Sequence, residues 1–214
     1  MIALFQPANP FATNQDLFCV ATTHLLFSPK RGDIKLAQLQ YFLAEIDEFV
    51  RAKGDIPIVL CGDLNAFPQS PLIQFLLNGY IQYDMYRGVD ISGQLLNSEF
   101  SYPLASPLLP TSFVTSDCRL ANPTNFQQSS SPILTHDKQF QSVYDLTNTA
   151  DVSTHVRDGS KLVDYIFYTH QRLNVLSYLN LYQAHELIDV HIPNHQFPSD
   201  HFLLSVKFAF KYQK

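Results

Sequence analysis

Ile56-Pro57-Ile58-Val59-Leu60-Cys61-Gly62-Asp63-Leu64-Asn65 is an apolar run that breaks on a glycine, an acid and an amide. Unbroken apolar character over so few residues marks a strand covered on both faces, not one side of an amphipathic element. Strands of that type belong to α/β sheets, whose ligands collect where the strands end. The Gly62-Asp63-Leu64-Asn65 turn therefore stands where chemistry is expected, although an Asx-type turn would explain the same residues without any.

Upstream of this run, Asp33 is a good N-cap, and Leu36, Leu39, Leu43, Ile46 and Val50 recur at helical spacing as far as Arg51 and Lys53, where Gly54 stops the helix. Before that helix, Leu17 to Leu25, LFCVATTHL, reads as a second buried strand with His24 at its C-terminal edge. Strand, helix and strand in that order form a βαβ-like unit, which brings His24 and Asp63 to neighbouring strand ends. Downstream, Ser70 and Pro71 start a short helix, LIQFLLN, that ends at Gly79.

Length and composition bound the possibilities. A chain of 214 residues suits one sizeable domain, and 46% hydrophobic with 15% charged residues is ordinary for a packed globular protein. No apolar run approaches a membrane span, so no membrane partner is expected. A net charge of −5 argues against indiscriminate nucleic-acid coating and confines any such contact to a local patch. Cys19, Cys61 and Cys118 are odd in number and widely spaced, which implies reduced thiols and a cytoplasmic or nuclear setting. The opening MIALFQPANPF lacks a basic n-region and carries Pro7 and Pro10, so it reads as a strand entered partway through a domain; the chain is expected to be a piece of a longer protein.

From about residue 85 to 160 the periodicity fades into Ser, Pro, Asn and Gln, the pattern of a long surface insertion with local structure near Phe140 to Leu146. Order resumes with LVDYIFY from Leu162, then VLSYLNL, then FLLSVKFAF, in which Phe202, Leu204, Val206, Phe208 and Phe210 alternate with less apolar neighbours.

Chemistry concentrates at a few points. Asp164 is a carboxylate inside an apolar strand and must be paired or hydrogen-bonded; an imidazolium is a natural partner, and backbone amides are the structural alternative. Ser199-Asp200-His201 sets a carboxylate beside an imidazole just before the last strand, where an exposed Asp and a satisfied His would serve as a bland explanation. His24 could be a core histidine. What raises it is company: four independent candidates each fall at a strand end or turn. Together they suggest metal-assisted phosphoester hydrolysis, which needs a base for water, a divalent cation for the phosphate oxygens and donors for the developing charge. A zinc site from His185, His191 and His195 is permitted by spacing but has no paired Cys motif. Cys61 is read as packing and not as a nucleophile.

Four separated strings, THLLFSPKRGDIKLAQLQYFLAEID, PIVLCGDLNAFPQSPLIQFL, VDYIFY and PSDHFLLSVKF, closely resemble the C-terminal half of the endonuclease/exonuclease/phosphatase superfamily. The branch holding nocturnin and the carbon-catabolite-repression deadenylases looks nearest, and SPKRGDIKLAQ is similar to the Angel proteins. The resemblance covers roughly residues 17–83 and 161–210. It implies an α/β fold, a two-sheet sandwich flanked by helices of the deoxyribonuclease I type, here only its C-terminal half. It also implies a Mg2+-dependent phosphoesterase, with Mn2+ as a substitute ion, acting on single-stranded RNA 3′ ends either as a deadenylase-like exonuclease or as a 2′,3′-cyclic phosphatase. By motif, His201 would be the general base, Asp164 would orient it, Asp200 would bind in the metal region and Asp63 would position the nucleophile or act near the leaving group. Asn65 and His24 would donate to phosphoryl oxygens, and Lys30 and Arg31 would hold an RNA phosphate.

The superfamily's N-terminal half supplies an early Asn and a metal-binding Glu that this chain lacks. Two further readings therefore stand beside the enzyme: an RNA-associated binding module that kept the fold without the metal Glu, and another phosphoesterase of the superfamily, such as an abasic-site endonuclease or a phosphoinositide phosphatase.

Overall fold

A computed structural model describes residues 1–8, 16–95, 99, 102–104, 108–109, 132–156 and 159–211. In chain order the elements are β1 (Ile2–Phe5), β2 (Phe18–His24), α1 (Gly32–Arg51), β3 (Ile58–Asp63), α2 (Pro71–Asn78), β4 (Tyr80–Gln82), β5 (Ile133–Thr135), β6 (Phe140–Ser142), β7 (Asp151–Val152), β8 (Thr154–Val156), β9 (Gly159–Lys161), β10 (Asp164–Thr169), β11 (Leu173–Tyr178), β12 (Tyr182–Gln183) and β13 (Val206–Phe210). Among the described residues the main sheet has five strands in the order β1-β2-β3-β10-β6. Its centre is the parallel pair β2 and β3, joined by α1 as the apolar runs require, while β1, β10 and β6 add on antiparallel.

Leu36, Leu39, Leu43, Ile46 and Val50 are buried along α1, so the helical stripe read from the sequence faces the core. The helix begins two residues earlier than expected: Arg31 takes the N-cap position, and no side chain caps it. Asp33 lies in the first turn instead, because its carboxylate is held by the Arg31 guanidinium at 3.0 and 2.8 Å and by the Tyr102 hydroxyl at 2.9 Å. In α2, Ser70 Oγ accepts the Ile73 N–H at 3.3 Å, and Gly79 ends the helix at φ +79°. No helix among the described residues is long and apolar enough to cross a membrane.

The last strands form a second layer. Antiparallel β11 and β13 pack on the sheet through Phe18 against Phe210, with ring centroids 5.9 Å apart, and Tyr168 against Phe208 at 5.2 Å. Leu176 of this pair is exposed, and Tyr178, also partly exposed, packs its ring on the buried Tyr144 with centroids 5.4 Å apart. A mixed α/β fold in which a second pair of strands packs on the main sheet is thus present, as the sequence implied.

The span 85–160 departs from a surface insertion in its described parts. Val89, Ile91, Leu134 and Phe140 are buried, β5 pairs with β4, and β6 closes one edge of the main sheet. These strands are three residues long, too short for a period-two pattern to register between polar spacers. Cys19 is buried, and burial pushes its thiol up to about 11; Cys61 is half-buried on β3, and Cys118 lies outside the described residues.

Candidate active site

Sheet register alone assembles half of the site. His24 is the cross-strand partner of Asp63 in the parallel β2–β3 pair, and Asp164 is the partner of Asp63 in the antiparallel β3–β10 pair. One row across three strands therefore carries an imidazole and two carboxylates. The row depends on Gly62, which adopts φ +138° and lies so close to β2 that a Cβ would sit 1.8 Å from the Thr23 carbonyl oxygen. Past Asp63 the chain turns through Asn65 at φ +46°, a left-handed conformation that Asn tolerates. The Asn65 N–H donates to Asp63 Oδ1 at 2.8 Å, and its Nδ2 donates to the Leu25 carbonyl at 3.1 Å, tying the ends of β2 and β3 together.

His201 reaches this row on a docked loop. Phe202 N–H donates to the Ser153 carbonyl at 2.8 Å, and the Asp200 carbonyl accepts the His155 N–H and the Thr154 hydroxyl, each at 2.9 Å. Rings of Tyr182, Phe197 and Phe202 pack on one another beside it, with Tyr182 and Phe202 centroids 4.6 Å apart. In this position His201 Nδ1 lies 2.9 Å from Asp164 Oδ2. A carboxylate can only accept there, so Nδ1 carries the proton and Nε2 is the basic nitrogen. Nε2 is 4.0 Å from Asp63 Oδ2, the same oxygen that His24 Nε2 meets at 3.2 Å.

Ser153 is the support that the sequence reading missed. Fully buried, it donates its hydroxyl to Asp164 Oδ2 at 2.7 Å and accepts the Val163 and Asp164 N–H groups at 3.0 Å each. Asp164 Oδ2 is thereby held by both Ser153 and His201. A small hydroxyl in Asp151-Val152-Ser153-Thr154-His155 gives no periodic or motif signal.

Electrostatics follow from this crowding. Burial pushes the Asp63 carboxyl up, and the neighbouring Asp164 charge pushes the same way, against the Asn65 N–H and the two imidazoles. For His201, burial pulls the imidazole down, but the charge of Asp164 and its hydrogen bond, with Asp63 and Asp200 beyond, outweigh it and leave the group above its ordinary value.

Of the expected residues, His24, Asp63, Asn65, Asp164 and His201 converge. Among the described residues, the group with ligand atoms close enough to share a cation is Asp63, Asp164 and His201, all within 4.8 Å of one another. Asp200, expected in the metal region, is not in that group: it adjoins His201 but holds the loop to β8 through its backbone. His185, His191 and His195 are not in it either. Asn65 is 4% exposed, with one amide N–H already given to Leu25, so its donor role toward a phosphate is narrower than the sequence suggested. On the loop after His24, Arg31 is matched by Asp33, and Lys30 is exposed.

Comparison with known proteins places this chain in a lineage. Residues 11–201 match the profile of the Endonuclease/Exonuclease/phosphatase family. Protein angel homolog 2 of Mus musculus is 31% identical over 97% of the chain, and protein angel homolog 1 of Rattus norvegicus is 41% identical over 55% of it. The chain spans 46% and 19% of those relatives' own lengths. Among solved structures, that of ANGEL2, described as a 2′,3′-cyclic phosphatase, is 33% identical with a TM-score of 0.79 over 97% of this chain and 66% of the other. The human Nocturnin catalytic domain, 20% identical with a TM-score of 0.50 over 91% of this chain and 48% of the other, shares the fold.

Proposed function

This chain belongs to the Endonuclease/Exonuclease/phosphatase family, and on that basis we propose that it carries the base side of the active site of a metal-dependent RNA phosphoesterase whose substrate is a 2′,3′-cyclic phosphate at an RNA 3′ end. The observation that carries this reading is the line from Ser153 through Asp164 to His201, which ends on a basic Nε2 directed toward Asp63. The choice of a cyclic phosphate over a 3′ exonuclease substrate leans on ANGEL2, a 2′,3′-cyclic phosphatase at 33% identity.

Hydrolysis then runs in steps this chain's residues can perform. His201 Nε2 takes a proton from water as its oxygen bonds to phosphorus, and Asp164 stabilises the imidazolium that forms. The phosphorus bond to one ribose oxygen breaks, that oxygen leaves as a hydroxyl by taking a proton from solvent water, and the His201 imidazolium returns its proton to solvent before the next attack. His24 and the second amide N–H of Asn65 would donate to the phosphoryl oxygens as charge builds, with Asp63 holding His24 in place. A second water repeats the attack on the monoester to release inorganic phosphate. RNA would run past the loop bearing Lys30 and Arg31.

Mg2+ takes oxygen ligands and is commonly held by one or two carboxylates together with water and phosphate oxygens. The paired carboxylates fit that preference: Asp63 and Asp164 would hold Mg2+, or Mn2+ in its place, and the ion would neutralise phosphate charge. Asp200 is not assigned as a ligand in this scheme.

The test is hydrolysis of two short RNAs by the whole gene product, one ending in a 2′,3′-cyclic phosphate and one in a free hydroxyl, with Mg2+ or with chelator. Release of phosphate from the first alone, abolished by chelator and reduced at least about 10²-fold by His201→Ala, is expected. Shortening of the second would make it an exonuclease, and binding of either RNA without turnover would make it a binding module.

A further inference from the structure

Helix α1 presents one side chain to the core that packing does not call for. Lys35 is 0% exposed, among Leu36, Leu39 and the start of the helix. Taking an ammonium out of water is costly unless it is well hydrogen-bonded. Its Nζ donates to the Asn65 carbonyl at 2.7 Å and to Gln94 Oε1 at 2.6 Å. Asn65 is the residue at positive φ that closes the turn after Asp63. Its carbonyl faces Lys35, its N–H faces the Asp63 carboxylate and its side chain faces the end of β2. All three contacts are made from this left-handed turn, and Lys35 brings a charge to it.

We propose that Lys35 is a positioning residue for the proposed reaction: its buried ammonium clamps the Asn65 carbonyl and so fixes the direction in which the Asp63 carboxylate meets His24 and His201. Burial pushes the amine down to about 8, so it remains mostly charged at neutral pH, and a charge-assisted bond to a carbonyl is stronger than a neutral one. Gln94 supplies the second acceptor and keeps the amine from swinging away from the turn. Helix α1 is thereby coupled to the turn after Asp63 through Lys35, as it is to the segment after His24 through Gln38, whose Oε1 accepts the Leu26 N–H at 2.9 Å.

The role rests on the phosphoesterase reading, and two readouts separate the two. Lys35→Met, close in volume, is compared with wild type and with Lys35→Arg in the whole gene product. Turnover of cyclic-phosphate RNA is measured beside amide exchange over residues 62–67. Expected for Lys35→Met is a fall in kcat of about 10- to 100-fold with KM within about twofold, as for other residues that orient a reacting group. Exchange should quicken over 62–67 while that of β2 stays protected, and Lys35→Arg should recover part of both. Wild-type kcat and exchange in Lys35→Met would overturn the proposal, as would a rise in KM with kcat unchanged. If Lys35→Met does not fold, Lys35→Gln, which keeps a donor, takes its place and is judged by the same split. A wild-type protein without turnover sinks the phosphoesterase reading, and the exchange comparison then decides the clamp.

Discussion

Asp63 and Asp164 stand directly opposite each other on antiparallel β3 and β10, two carboxylates at paired positions of a sheet. Like charges so placed repel, and a protein folding for stability alone would not keep them there. Here each is held by a separate set of donors: Asp63 by the Asn65 N–H and His24, Asp164 by Ser153 and His201. The repulsion is answered by cationic or donor groups aimed into the gap, the arrangement expected where a phosphate and a cation are to be bound.

Asp164→Asn is expected to keep the fold and remove most of the activity. The carboxylate is a leading cause of the raised His201 value, so in wild type the rise of kcat/KM with pH should lie above the ordinary imidazole range. An amide neither attracts the imidazolium nor fixes the Nδ1–H tautomer. The pH limb should move down, and kcat should fall on the order of 10²- to 10⁴-fold. A pH–rate profile of the variant reads both; an unmoved limb would separate Asp164 from His201.

Ser153→Ala tests the support behind that carboxylate. Losing the hydroxyl leaves the Val163 and Asp164 N–H groups without their acceptor in a fully buried place, a cost of about 1–3 kcal/mol measurable by denaturant unfolding. Asp164 would also lose one of its two side-chain partners, and activity should drop roughly 10- to 100-fold, the range seen when an orienting partner is removed. Wild-type turnover in a folded variant would show that His201 alone positions Asp164.

What was legible in the sequence was what repeats or breaks a pattern. The βαβ unit announced itself through two apolar runs and one amphipathic helix, and Asp63, Asp164 and His201 each interrupt such a run or precede one. Ser153 does neither, and β5, β6 and β7 are two or three residues long and pair with β4, β10 and β12, so their pairing is set by tertiary contacts that no local window holds. Lys35 was readable in principle: it lies one residue before Leu36 and four before Leu39, on the side of α1 that the leucines mark as buried. A charged residue inside such a stripe signals a specific partner, and only the fold shows that partner to be Asn65.

Stability should fall with rising pH near neutrality, in part through His201. Its folded value lies above the unfolded one, so the folded state holds the proton more tightly. The stabilisation is fully present below the unfolded imidazole value and is lost as pH rises through the folded one. Asp63, also raised, acts with the same sign over its own, more acidic window. Denaturant midpoints measured across pH should therefore decline more steeply in wild type than in His201→Ala; parallel curves would mean the imidazole has no raised value in the folded protein.

Gly62→Ala should be the most damaging small change near the site, for reasons of backbone alone. At φ +138° an L side chain is strained in any surroundings, and here the added methyl would also meet the Thr23 carbonyl oxygen at 1.8 Å. Relief requires β2 and β3 to separate where they carry His24 and Asp63, and that separation would break the Leu25 N–H bond to the Asp63 carbonyl, now 2.9 Å. Losses of about 3 kcal/mol or more are expected, enough to remove a large part of a domain's stability. Circular dichroism melts would show a lowered or absent transition, and any folded remainder should have lost turnover along with the row of three strand ends. If the variant instead melts like wild type and turns over substrate, the approach of β2 to Gly62 is not as tight as described, and the register that joins His24, Asp63 and Asp164 would have to be redrawn.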